Sequence, residues 1–65
     1  MIAIEAPDQF GTQDITVDGA SMIRIMEHGK EFMVYQCRFK QQGYYYPTRA
    51  EALGRAMDWI ANELY

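Results

Sequence analysis

The chain has 65 residues, 49% of them hydrophobic and 14% aromatic, with nine acidic against six basic side chains and a net charge of −3. That length permits one domain with a thin core, since so short a chain buries only about 60% of the surface it exposes when unfolded, and the hydrophobic content excludes a disordered tail. The charge has the wrong sign for a domain that tracks a phosphate backbone, and a single cysteine, Cys37, beside a single histidine, His28, excludes an internal disulfide and a zinc site.

The N-terminal "MIAIEAPDQF" carries neither a basic leader nor a long apolar run, so the expectation is no secretory signal and no membrane span, and a cytoplasmic protein by default. "MIAIEA" is a candidate edge strand, and Phe10 before Gly11 is placed to plug one end of the core. Four β-rich runs follow, "DITVDG", "SMIRIME", "EFMVYQCRF" and "YYY", separated by Asp18-Gly19, His28-Gly29 and Gln42-Gly43. They read as an antiparallel meander. In the central hairpin, the parity of the loop decides which side chains share a face. A two-residue loop sets Ile23 and Ile25 beside Phe32 and Val34 but continues that face with Gln36 and Arg38. A three-residue loop with a left-handed Gly29 joins them instead to Met33, Tyr35, Cys37 and Phe39, and is the preferred register. It predicts an outer face of Met22, Arg24, Met26, Phe32, Val34, Gln36 and Arg38, unusually apolar for a surface left to solvent.

In "YYYPTRAE", the tyrosines alternate across a sheet, so Tyr45 is expected on one face and Tyr44 with Tyr46 on the other. Pro47 separates strand from helix. Thr48 and Glu51 form a capping box, after which apolar residues at 53, 56, 57, 60, 61 and 64 make one stripe of a 3.6-residue period. Glu51, Arg55, Asp58 and Asn62 lie opposite, with Glu51 and Arg55 spaced for an ion pair. Trp59 flanks the stripe and is expected to seal the sheet edge. Gly54, inside the helix, marks either a close approach to the sheet or a tolerated weakness.

The expected fold is therefore α+β, a single domain over 1–65: an antiparallel meander of three or four strands over about 12–46, packed by one C-terminal amphipathic helix over about 48–64. No metal-ligand spacing, phosphate loop or nucleophile motif is present. His28 reads as a turn residue, and Cys37 reads as a core thiol, a small hydrophobe and not a nucleophile. The chain is read as a non-enzyme needing no cofactor. Met33 and Met57 read as core, while Met22, Met26, Phe32 and Val34 form a candidate apolar partner face, or the seam of a homodimer. Asp14, Asp18, Glu27 and Glu31 bracket turns and strand ends and form a candidate acidic partner surface.

Short antiparallel strands, an aromatic strand ending in "YYYPTRAEA" and one amphipathic helix resemble, over about residues 20–64, the arm-type DNA-binding domain of phage-family integrases. That resemblance implies a sheet lying in the major groove, with Arg24, Arg38 and Lys40 carrying the DNA contacts. In size and charge the chain also resembles the small acidic proteins of phages and mobile elements, including anti-CRISPR proteins. This second resemblance implies an inhibitor of a host nucleic-acid-binding complex, acting in the host cytoplasm and presenting carboxylates where DNA phosphates would sit. The leading expectation is the inhibitor or adaptor, with a protein partner. An integrase-like DNA-binding module and a homodimeric adaptor are the alternatives.

Overall fold

The computed structural model describes residues 1–38 and 43–62. Five strands form one antiparallel sheet in chain order: β1 (Ile2–Ile4), β2 (Gln13–Val17), β3 (Ala20–His28), β4 (Glu31–Gln36) and β5 (Tyr44–Tyr46). One helix, α1 (Arg49–Asn62), packs over β3, β4 and β5. The α+β class and the meander are as the sequence predicts. There are five strands where three or four were expected, because the N-terminal run "IAI", a candidate edge strand, pairs fully with β2 beside the four runs of the meander.

Two tight turns set the sheet. Val17 opposes Ala20 across Asp18-Gly19, both at positive φ, the primed geometry that matches strand twist. His28 opposes Glu31, so the central loop has two residues, Gly29 and Lys30, with Gly29 at φ +64°. This overturns the three-residue register. Ile25 pairs with Val34 and Ile23 with Gln36, so Phe32, Val34 and Gln36 share the helix face with Ile23 and Ile25. The polar continuation that argued against this register is slight. β4 ends at Gln36, leaving Arg38 in the following turn, and the sheet accepts Gln13 and Gln36 as buried polar residues on the rim of the apolar cluster. One irregularity completes the register. Between Ile15 and Thr16 the β2–β3 pairing shifts by one residue at Met22, so Ile15 meets Ile23 and Asp14 meets Arg24.

The core is Ile15, Ile23, Ile25 and Val34 from the sheet with Ala52, Ala56, Trp59 and Ile60 from the helix. The helix stripe is thus rotated from the expected one. Ala52 and Ala56 are fully buried, Leu53 packs at the margin, and Met57 and Ala61 are exposed. Two alanines in line let the helix backbone come close to the sheet, and the large Trp59 and Ile60 fill the next turn. Leu64, the end of the expected stripe, lies outside the described residues. The N-cap stands as predicted: the Thr48 hydroxyl accepts from the Glu51 amide at 3.2 Å. Gly54 faces open space, so it is a tolerated weakness and not a close approach. Phe10 plugs nothing; it is 74% exposed, on a turn in which the Asp8 carboxylate accepts from the amides of Phe10 and Thr12.

Candidate functional site

The outer sheet face, away from the helix, is built by the register just described. Across it run two rows: Asp14, Arg24 and Tyr35, then Met26, Met33 and Tyr45. His28 meets Tyr45 edge to face at 5.2 Å. The tyrosine strand behaves as its alternation predicts, with Tyr45 on this face and Tyr44 and Tyr46 on the helix face.

The candidate apolar partner face does not exist as a unit. Val34 is fully buried in the core and Phe32 packs against it, while Met26 lies on the opposite side of the sheet and Met22 sits at the bulge, also against the core cluster. Phe32 and Val34 are misplaced by the hairpin parity, which exchanges the faces of every β4 residue, and Met22 by the bulge, while Met26 lies on the outer face as expected. Met33, expected in the core, is half-buried on the outer face, and Cys37 is half-buried in the turn after β4. Burial pushes the Cys37 thiol up, which favours its protonated form at neutral pH.

The four acidic candidates are likewise dispersed. Asp18 is at the β2–β3 turn, paired with the Met1 ammonium. Glu27 and Glu31 are at the opposite end of β3, on the β3–β4 hairpin. Asp14 lies between these ends and is held by Arg24, whose Nε donates to Oδ1 at 2.8 Å and Nη2 to Oδ2 at 3.1 Å; Ser21 Oγ adds a third bond at 2.9 Å. The Arg24 hydrogen bonds hold the Asp14 carboxyl below the ordinary carboxylate range, against an opposing effect of partial burial, and the Ser21 hydroxyl adds to the lowering. The same pairing drives Arg24 up, so it is a fixed cation with its charge already answered.

That pairing decides much about the DNA-contacting set. Arg24 faces Asp14, Arg38 is exposed in the turn after β4, and Lys40 lies outside the described residues. Beside the Arg24–Asp14 pair is an open groove of about 340 Å³ lined by Glu5, Ala6, Asp8, Thr12, Asp14 and Arg24. Three carboxylates and one guanidinium make it acidic, and among the described residues no cluster has the make-up of a metal site.

Two arginines organise the helix side: Arg49, to which the sequence assigned no role, and Arg55, expected to pair with Glu51. Arg49 donates to Gln13 Oε1 at 3.2 Å and to the Gly11 carbonyl at 3.0 Å, with its guanidinium 4.8 Å from the Phe32 ring centre. It thereby ties the start of α1 to the start of β2. Arg55 does not pair with Glu51. It turns to the aromatic pair Tyr44 and Trp59, which stack at 5.5 Å, and lies 4.6 and 5.1 Å from their ring centres. Trp59 seals the β5 edge as expected. The available signal was the i, i+4 spacing of Arg55 and Trp59, which puts a cation one turn below an indole on a helix.

Among the described residues, no helix is long and apolar enough to cross a membrane. Comparison with protein-family models, with curated proteins and with solved structures finds no match for this chain.

Proposed function

We propose that the protein is a small non-catalytic inhibitor or adaptor that docks on a basic surface of a larger nucleic-acid-binding complex. The observation that carries this reading is the imbalance of uncommitted charge. Arg24, Arg49 and Arg55 are each engaged inside the fold, by a carboxylate, by a carbonyl and an amide, and by two aromatic rings. Among the described residues this leaves Lys30 and Arg38 as the cations with no such engagement. Glu5, Glu27, Glu31, Glu51 and Asp58, by contrast, make no ion pair among the described residues, while Asp8 is engaged by two backbone amides.

Of these arginines only Arg24 is answered by a carboxylate, and that pair cancels, so the external field keeps the sign of the formal charge of −3, with unpaired carboxylates outnumbering unengaged cations at the described surface. Such a field repels phosphate and is drawn to a positively lined groove. The β3–β4 hairpin end carries two of these carboxylates, one on each face of the sheet. Glu27 lies against Gly11, on the turn that Asp8 organises, and Glu31 is on the adjoining strand. Both are held on a hairpin of fixed register, so the fold sets their positions relative to each other. A phage or mobile-element origin of the anti-CRISPR type fits this reading through size and charge.

The test has two arms. A labelled mixed-sequence duplex should show no anisotropy change with the protein at low salt. Tagged wild-type protein should capture a nucleic-acid-binding complex from bacterial lysate and displace its nucleic acid, whereas Glu27→Lys/Glu31→Lys should lose the capture. Direct, salt-sensitive duplex binding, or capture untouched by the two reversals, would remove the proposal.

A further inference from the structure

We propose that two copies of the chain associate edge to edge through β1, joining their sheets in antiparallel register about a two-fold axis at Ala3. The pairing of β1 with β2 fixes which backbone groups are left over. The Glu5 amide donates to the Asp14 carbonyl at 3.0 Å and the Asp18 amide to the Met1 carbonyl at 2.8 Å, on either side of the Ala3–Thr16 pair. Backbone groups of an antiparallel strand alternate between its two sides. Those of Met1, Ala3 and Glu5 turn toward β2, so the N–H and C=O of Ile2 and Ile4 turn outward along a free sheet edge.

Those same two residues carry apolar side chains without cover. Ile4 opposes the buried Ile15 and Ile2 opposes Val17, so both lie on the helix face, but the helix spans only β3 to β5. Ile2 is 38% and Ile4 50% exposed. An exposed edge is normally blunted by lysine, proline, a bulge or a covering element, and β1 has none of these. The opposite edge is treated differently: β5 is followed directly by Pro47, and Trp59 and Arg55 stack over Tyr44.

The occupant is identified by self-complementarity. In "IAI", a two-fold axis through Ala3 sets Ile2 against Ile4 of the second copy and Ile4 against its Ile2. These are the residues with outward N–H and C=O groups, so each pair exchanges two backbone hydrogen bonds. Ala3 meets Ala3 at the close, non-bonded spacing, where a methyl group fits without strain. Four isoleucines then share one face, between two helices on the same side of the joined sheet. An unlike strand would satisfy the backbone but would need its own matching pair of apolar residues in this register.

The contact is three residues long on each side, well short of the roughly 800 Å² per partner of a standard interface. The pairing is thus concentration-dependent. Each copy carries −3, so added salt should strengthen it by screening like charges, the opposite of the salt response of the acidic docking proposed above.

Sedimentation of the full chain from about 10 μM to about 1 mM, the range in which so small an interface dissociates, should show the mass rising from monomer toward dimer. Amide exchange of Ile2 and Ile4 should slow at least about tenfold at the upper concentration. Ile4→Pro removes the outward N–H and the isoleucine side chain while leaving the inward bonds of Ala3 and Glu5 in place, and Ile4→Lys charges the edge; both should stay monomeric, with Ile4→Lys keeping the circular-dichroism melt of the wild type at low concentration. A wild-type chain monomeric throughout, as expected if an unlike strand is the occupant, overturns the proposal. So does a dimer that persists in both variants.

Discussion

Asp14 and Arg24 face each other across β2 and β3 with two hydrogen bonds, at 2.8 and 3.1 Å, and they do so because the bulge at Met22 advances β3 by one residue. Without it, Asp14 would oppose Ile23. The ion pair is half open to water, so its worth is near the upper end for exposed pairs, about 1 kcal/mol. Asp14→Asn should lower Tm by roughly 4–8 °C at pH 7, the shift that so small a domain shows for that energy. The depressed folded-state pKa of Asp14 sets the pH window. Its contribution is fully present above the unfolded value, near 3.8, and is lost as pH falls through the lower folded value. The gap in Tm between wild type and Asp14→Asn should therefore be constant from pH 7 to about 5 and close below pH 4. A gap that does not narrow at all as pH falls from about 5 to about 3 would remove the ion pair as its cause.

The central hairpin register gives a sharper contrast between neighbours. Val34 is in the core and Met33 on the outer face. Val34→Lys buries a charge with no partner, at a cost of several kcal/mol, comparable with the total of about 3–10 that a chain of this length commands. It should show no cooperative melt at 25 °C. Met33→Lys places the ammonium at the surface and should cost about 1 kcal/mol or less. The reverse ranking would restore the three-residue loop.

That contrast also marks where the sequence stops being legible. The Thr48 N-cap, the turn at Asp18-Gly19 and the alternation of the three tyrosines are local signals, set by spacing within a few residues, and each is realised, although of the expected capping box only the Thr48 hydroxyl bond to the Glu51 amide forms. Face assignment is not local. One residue of loop length exchanges Met33 with Val34, and the pattern favours the wrong register because Gln36 and Arg38 weigh as core-face residues, whereas β4 ends at Gln36 and the core rim accepts it. The bulge is hidden for the same reason. Asp14 and Arg24 were assigned to rival partner surfaces, one acidic and one basic, and the fold uses them to neutralise each other. The rotation of the helix stripe has a different cause. Ala52 and Ala56 are weak hydrophobic signals beside Leu53 and Met57, yet small residues are what a closely packed helix buries.

Gly54 offers a gain in stability. It lies inside α1, its face is open, and a methyl group there would meet nothing within 4 Å. Replacing glycine by alanine in a helix interior is worth about 1 kcal/mol, through helix propensity and a less disordered unfolded chain. Gly54→Ala should raise Tm by roughly 4–8 °C and leave every surface described above unchanged. A loss of stability would mean that the 54 position contacts a second molecule or a segment outside residues 1–38 and 43–62.

The last prediction concerns Arg55, Tyr44 and Trp59. The guanidinium lies 4.6 and 5.1 Å from the two ring centres, and the rings themselves stack at 29° between planes. This joins the exposed edge strand β5 to the helix without a hydrogen bond, through the attraction of a flat cation for π faces. A partly exposed cation–π contact is worth about 0.5–1 kcal/mol, and a lysine ammonium cannot lie flat on the rings as a guanidinium does. A double-mutant cycle between Arg55→Ala and Tyr44→Ala should give a coupling of about 0.5–1 kcal/mol by urea denaturation. Arg55→Lys should recover less than half of it. Trp59 supplies an independent optical readout, since loss of Tyr44 exposes one face of the indole and should shift its emission to the red. Zero coupling together with an unshifted emission would mean that the stack does not hold β5 to the helix. The edge would then rest on its ladder with β4 alone, and β5 would exchange its amides as fast as a frayed terminus.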